Sequence, residues 1–395
     1  MRMIVEGVIE MSFSARLSTE STALLRRLKI FIKQYNSASI FIATLLFIAF
    51  TLAAAVYANG LVWDFGTAGG APMGLGSPVS TQSIVNSLNR YDAGHYNQIA
   101  EDGYRDPSDA AFMPLYPLAI RATHAVTKLP YAWSGFVVSW VSLCGAAIAI
   151  YKWAALELKQ RKLAVSPWLV LGIMALFPTA FYLAAPYTES LFIVLTASAL
   201  LTYRKRQYLP AAVLAALATA TRDQGLLLCL YFLADYVLVK KDRHWQKLIP
   251  AFVGAAGLLA YMVFLSIHYG SAFEFLSAEQ DWGRLSGSLI HNLVSSFRPM
   301  YIWFVAVWVA GLWSVWRHLG KAYFIYSLAF ILLPLASGSF LSVNRFTLSL
   351  LPIFLGLAIF GELSAPKLTK SLYIASSTFL LAWSLLLFAN DYWVA

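Results

Sequence analysis

The stretch ASIFIATLLFIAFTLAAAVYA, Ala38–Ala58, decides the fold. It contains no charged residue, and about 20 residues of this kind suffice to cross a bilayer as a helix. A basic segment with Arg16, Arg26, Arg27, Lys29 and Lys33 precedes it. The run is long enough to remain as a span, and no cleavable signal peptide is expected. Working outward, about eleven runs in all approach span length. The others are Tyr131–Ala154, Pro167–Ala185, Thr188–Tyr203, Leu209–Thr221, Gly225–Val239, Leu248–His268, Met300–Trp316, Ala322–Ala336, Phe346–Phe360 and Leu372–Ala389. Thr221-Arg222-Asp223-Gln224 splits Leu209–Val239 into a hairpin, because two charges in the middle of one span would be costly.

Composition agrees. The 395 residues are 59% hydrophobic, 15% aromatic and 12% charged, with a mean hydropathy of +0.66. Soluble domains carry about a quarter charged residues, so this is an all-α polytopic membrane protein. The net charge of +10 does not imply nucleic-acid binding. The bases lie in short clusters between apolar runs, as expected of residues that orient spans. Cys144 and Cys229 fall inside apolar runs without metal-type spacing and read as small buried apolar residues.

Alternate loops carry the bases: Lys159, Arg161 and Lys162; Arg204, Lys205 and Arg206; Lys240, Lys241, Arg243 and Lys247; Arg317 and Lys321; Lys367 and Lys370. Together with residues 1–37 they form the cytoplasmic set. Residues 38–395 then form a single transmembrane domain, with the polar loop 60–130 outside the cytoplasm. The cytoplasmic loops are about a dozen residues or fewer and hold no nucleotide-binding domain or phosphate loop. An enzyme built this way draws its activated substrate from the membrane.

Within the first outer loop lies RYDAGHYNQIAEDGYRD, Arg90–Asp106. A helix capped at Ser80 or Thr81 is predicted to run to Asp102, with Gly103 as its stop. It would lie along the membrane surface with Ile84, Leu88, Asp92, His95 and Ile99 on one side. Phe112–Pro117 opens a second interfacial segment, with Pro114 near its first turn. Asp92 is the candidate general base, since a carboxylate within hydrogen-bond reach can take a proton from an attacking hydroxyl. On spacing alone a solvated loop acid, as most loop aspartates are, is the ordinary alternative. His95, one turn on, orients Asp92, contacts substrate or is simply exposed. Asp92, His95, Glu101 and Asp102 offer ligands to a divalent metal, but no HExxH or comparable spacing accompanies them. No cofactor is required by the sequence, and a divalent metal stays open.

Arg222 and Arg345 sit at span ends on the side where positive charge is selected against, which suits a phosphate partner for the guanidinium fork. Arg222 can instead pair with Asp223, whereas Arg345 has no acidic neighbour in sequence. Glu189 is a substrate contact or a helix-start acid. The loop Ala278–Arg284 mixes acid, aromatic and guanidinium groups suited to sugars and phosphates, although an interfacial aromatic belt also accounts for Trp282.

These residues resemble the PIG-V type of mannosyltransferase. RYDAGHYNQIAEDGY resembles the family block R-W-D-A-x-H-[FY]-x-x-I-A-x-x-G-Y, and AFMPLYPLAIR its A-F-F-P-L-Y-P block. FPTAFYLAAPYTESLF, ALATATRDQGLLL, QDWGR and SVNRF are similar to later blocks, in the same order, over most of Arg90–Pro352. The resemblance implies a GT-C-type fold and an inverting transfer of a sugar, mannose by family, from a polyprenyl-phosphate donor to an acceptor hydroxyl of a glycolipid or glycan. It implies roles for Asp92 as base, Arg345 and Arg222 at the donor phosphate, and His95, Tyr96, Glu189, Gln280 and Arg284 at the substrate. Tyr91, Met113 and Asp223-Gln224 depart from the family's tryptophan, phenylalanine and Ser-Asn, which bears on the acceptor. A compact chain without a glycosylation sequon or retention signal points to a prokaryotic plasma-membrane relative. The rival readings are a transporter or flippase of lipid-linked sugars, against which the paucity of mid-span charge counts, and an inactive scaffold.

Overall fold

The computed structural model describes residues 37–59, 81–239, 243–281, 294, 297–336, 340 and 342–394. Among them the regular structure is helical. The helices are α1 (Ser37–Asn59), α2 (Thr81–Leu88), α3 (Asp92–Asp102), α4 (Leu115–Thr127), α5 (Tyr131–Gln160), α6 (Pro167–Ala175), α7 (Glu189–Arg204), α8 (Tyr208–Thr221) and α9 (Leu226–Leu238). They continue with α10 (Ile249–Val253), α11 (Ala256–Tyr269), α12 (Glu274–Asp281), α13 (Tyr301–Ser314), α14 (Lys321–Ala336), α15 (Val343–Leu348), α16 (Leu351–Leu363) and α17 (Lys367–Ala389).

Every expected apolar run carries helix, but the lengths divide. Five helical stretches are long and apolar enough to cross a membrane: α1, α5, Trp245–Tyr269, Tyr301–Leu319 and α17. The rest are shorter. Helix α8 has 14 residues, about 21 Å at 1.5 Å per residue, against a hydrocarbon core of about 30 Å. Pro167–Ala185, expected as one span, is α6 followed by a 3-10 turn at Ala180–Leu183. Non-helical backbone at such depth is tolerated where protein buries it, and Ala180–Leu183 is buried throughout. Large apolar side chains including Leu46, Phe50, Val141 and Ile267 remain exposed on the helices, as a lipid-facing surface requires.

Small residues bring the helices together. Ala211, Ala212, Ala215 and Ala218 form the buried stripe of α8. A Cβ on Gly257 of α11 would lie 1.9 Å from the Ala216 carbonyl oxygen, so the two backbones touch. The predicted hairpin is present: α8 ends at Thr221, a 3-10 turn spans Asp223–Gly225, and α9 starts at Leu226. Gly225 allows it, since a Cβ there would stand 2.6 Å from the Thr219 nitrogen. Both cysteines are free, Cys229 buried and Cys144 half-buried.

Three of the basic loops are more than orientation signals. Glu157, fully buried near the end of α5, is paired with Arg161 and with Arg204 at 2.9 Å, and accepts from the Tyr323 hydroxyl at 2.7 Å. Asp235 pairs with Lys247 at 3.0 Å and accepts from the Tyr203 hydroxyl at 2.9 Å. Buried charge survives only when paired and hydrogen-bonded, and these clusters tie α5, α7, α9 and α14 together at one end. Glu189, Thr221 and Gly225 stand at the other ends of α7, α8 and α9, where the polar cavity lies.

Candidate active site

The single helix expected from Ser80 or Thr81 to Asp102 is two helices. The chain breaks at Asn89–Tyr91, where Tyr91 has φ 52°, and α3 starts afresh at Asp92. A tyrosine in this left-handed region is strained and must be held by its surroundings. Its ring packs on Phe388 at 5.7 Å and edge-on to Trp393 at 4.9 Å. Arg90 beside it donates to the Ala389 carbonyl at 2.8 Å, and its own carbonyl accepts from the Tyr187 hydroxyl at 2.7 Å. The break puts Asp92 in the first turn of α3, where free backbone N–H groups favour a carboxylate. Ile84 and Leu88 thereby drop out of the predicted face. Gly103 ends α3 as expected, with φ 82° and its N–H on the Ile99 carbonyl.

Asp92 faces a cavity of ≈ 460 Å³, within the range typical of small-molecule sites. His95 and Tyr96 of α3, Arg222, Asp223 and Gln224 of the α8–α9 turn, Glu279 of α12, Arg345 of α15 and Trp393 also line it. The charges form a chain. Arg345 Nη1 donates to Asp92 Oδ2 at 2.6 Å, and its Nε stands 3.3 Å from Glu189 Oε1. The same Glu189 oxygen accepts from Arg222 Nη1 at 2.7 Å, and Arg222 Nε donates to the Gln224 side chain at 3.1 Å. Two carboxylates and two guanidiniums cancel, as the burial of Glu189, Arg222 and Arg345 requires, while Asp92 keeps some exposure toward the cavity. The arginines are also sandwiched by rings: Arg222 lies over Phe346 at 4.8 Å, and Arg345 lies 5.4 Å from the centre of Tyr187 and 5.7 Å from that of Trp393.

The geometry gives both arginines partners remote in sequence. Arg222 pairs with Glu189 and not with its neighbour Asp223. Arg345 lacks an acid nearby in sequence yet meets two in space, one of them 253 residues away. Glu189 begins α7 as a helix-start acid, is fully buried beneath the cavity and bridges both forks. Tyr96 packs edge-on to Phe112 and Tyr116. Burial, with the charge of Asp92 adding to it, pushes its phenol above the ordinary range, so it remains a neutral hydrogen-bond donor. His95 stacks on Phe112 with ring centres 4.8 Å apart.

The possible metal set is not brought together. Asp102 lies at the far end of α3 and pairs with Arg105 at 2.7 Å, and Glu101 is exposed. Among the described residues no group of three or more metal-ligating side chains converges. Gln280 is exposed and lies outside the cavity lining, while Phe275, Leu276 and Glu279 of the same helix line it. Helical spacing of these three was the available signal, one residue away from the expected position. Trp393 had no local signal at all. Arg284 lies outside the described residues.

Residues 70–250 match the family model described as mannosyltransferase (PIG-V). GPI mannosyltransferase 2 of Schizosaccharomyces pombe is 25% identical over 282 residues, 68% of this chain and 56% of the relative. GPI alpha-1,6-mannosyltransferase 2 of Cricetulus griseus is 32% identical over 155 residues, 37% of this chain and 31% of the relative. Its counterpart in Mus musculus is 28% identical over 225 residues, 52% and 44% respectively. The alignments therefore span about half or less of these curated relatives. The family match contains Asp92, His95, Tyr96, Glu189 and Arg222; Arg345 and Trp393 lie beyond it.

Proposed function

We propose that this chain, a member of the PIG-V mannosyltransferase family, transfers mannose from a polyprenyl-phosphate donor to a hydroxyl of a glycolipid or glycan. The observation that carries the reading is the neutral chain Asp92–Arg345–Glu189–Arg222 beside one cavity. In an inverting displacement the acceptor oxygen attacks the anomeric carbon as the bond to the lipid phosphate breaks. Asp92 takes the acceptor proton, and the lipid phosphate leaves with the bonding pair. Arg345 and Arg222 stabilise that leaving charge, the larger task for a phosphate leaving group.

The ion pairs suit this sequence of events. Each guanidinium has five N–H donors, more than the carboxylates engage. Proton transfer to Asp92 neutralises the partner of Arg345 Nη1 at the moment charge builds on the phosphate. Attraction then shifts from Asp92 to the leaving group without the arginine travelling far, since Glu189 still holds its Nε. His95, Tyr96 and Gln224 line the same space and supply hydrogen bonds for sugar hydroxyls, and Arg284 and Gln280 belong to the same outer loop. This reading puts the cavity on the non-cytoplasmic face of the plasma membrane; the gathering of Arg161, Arg204 and Lys247 at the opposite helix ends supports the choice of face.

The test is Asp92→Asn in purified, folded protein, supplied with polyprenyl-phosphate mannose in detergent. Loss of a general base costs roughly 10²–10⁴-fold in transfer rate. Transfer at the wild-type rate removes Asp92 as base, and no transfer by the wild type with any hydroxyl acceptor removes the enzyme reading.

A further inference from the structure

The residues that follow α17 reach the cavity through Trp393. Helix α17 ends at Ala389, and Asp391 takes φ 69°, a left-handed turn that sends the chain back over the cavity. The Tyr392 N–H then donates to the Leu387 carbonyl at 3.0 Å. Four contacts fasten this strap. Asn390 Nδ2 donates to the Ala58 carbonyl at 2.9 Å, Asp391 pairs with Arg90 at 2.9 Å, and Asn344 Nδ2 donates to the Val394 carbonyl at 2.6 Å. The fourth is the edge-on packing of Trp393 against Tyr91 at 4.9 Å. The two inner-facing anchors, Tyr91 and Asn344, immediately precede Asp92 and Arg345, the two ends of the shortest ion pair of the site.

Trp393 shares with Phe346 both the lining of the cavity and the flank of Arg345, and it alone of the two belongs to the turn after α17. It lines the cavity, and its ring centre stands 5.7 Å from the Arg345 guanidinium carbon. Tyr182 and Tyr187 also flank Arg345, at 5.6 and 5.4 Å, but are almost fully buried and lie outside the lining. The indole Nε1 is buried without a hydrogen-bond partner among the described residues. An indole that lines a cavity offers it apolar aromatic surface, against which the C–H face of a pyranose can pack.

We propose that Trp393 is a positioning residue of the site: its ring fixes the Arg345 fork toward the donor phosphate and forms the wall against which the donor packs. For its sugar-transfer arm this rests on the reading of the preceding subsection. A second arm needs no turnover, because it reads binding of polyprenyl phosphate, without sugar, as thermal stabilisation of the full chain in detergent.

The variants are Trp393→Phe, which keeps a ring, and Trp393→Leu, which keeps bulk but no aromatic face. With Leu, the concentration of polyprenyl phosphate needed for half-maximal stabilisation rises at least tenfold, whereas Phe stays within about threefold of wild type. In turnover, Leu raises the donor KM at least tenfold and moves kcat less than about threefold. The proposal is overturned if Leu responds to the lipid as wild type does, if Phe is damaged as much as Leu, or if Leu only lowers the melting temperature. It is also overturned if polyprenyl phosphate does not stabilise the wild type. Lipid binding that tracks the ring, without any mannose transfer by the wild type, sustains the proposal and sinks the mannosyltransferase reading alone.

Discussion

Glu189→Gln is the perturbation that probes the site most directly. The side chain is fully buried, and one oxygen serves Arg222 at 2.7 Å and Arg345 at 3.3 Å, themselves only 7% and 8% exposed. The wild-type set of Asp92, Glu189, Arg222 and Arg345 sums to zero charge. The substitution is nearly isosteric, so it leaves packing intact and strands one positive charge in the interior. Removing one partner of a buried pair costs about 3–5 kcal/mol, a large share of the roughly 5–15 kcal/mol by which proteins are stable. At about 1.4 kcal/mol per tenfold, the folded-to-unfolded ratio should fall by roughly two to three and a half powers of ten. The assay is denaturation of the purified chain in mixed micelles, followed by circular dichroism. Adding Arg222→Gln restores neutrality. The double variant should therefore recover stability, with a coupling of at least about 1.5 kcal/mol in the double-mutant cycle, although transfer stays lost. A midpoint unchanged by Glu189→Gln, or a double variant worse than the sum of the singles, would refute the charge accounting.

Arg90 offers a contrast between two contacts of one side chain. Asp391 is 68% exposed, so their ion pair is worth at most about 1 kcal/mol, and Asp391→Ala should shift the same denaturation midpoint by no more than that. Arg90→Ala also abandons the Ala389 carbonyl and should cost about 1–3 kcal/mol more; equal shifts for the two variants would show that the carbonyl contact is unimportant. Gly257→Ala puts a methyl group 1.9 Å from the Ala216 carbonyl oxygen, so α8 and α11 must part. A loss of at least about 1–3 kcal/mol is expected, and a neutral result would mean that the helices are less closely apposed.

Much of the architecture was legible because a bilayer imposes a simple rule on composition: apolar runs, few charges and helix everywhere. The eleven runs all carry helix, and the hairpin at Thr221–Gln224 followed from the cost of two charges inside one span. Where the reading erred, the cause was a contact remote in sequence. Nothing in Asn89-Arg90-Tyr91 announces a helix break; Tyr91 adopts its positive φ because Phe388 and Trp393, some 300 residues on, hold the ring. Pro167–Ala185 reads as one apolar span because hydrophobicity does not distinguish a continuous helix from a buried 3-10 turn.

The same division runs through the site. The sequence by itself determined the membrane class and the polar residues capable of chemistry, because residue type and local spacing carry that information. With the family resemblance added, it pointed to Asp92 as base, to Arg345 and Arg222 for phosphate, and to Glu189 among several substrate candidates. Which of these touch was decided only in three dimensions. Arg345 has no acid nearby in sequence and is shared between Asp92 and Glu189; Arg222, left open in sequence between a phosphate and Asp223, pairs with Glu189 and completes the same chain. Trp393 entered the site only through the turn after α17. Burial makes the difference: a charge taken out of water must find its counter-charge, and the packing of the helices, not their order in the chain, selects the partner.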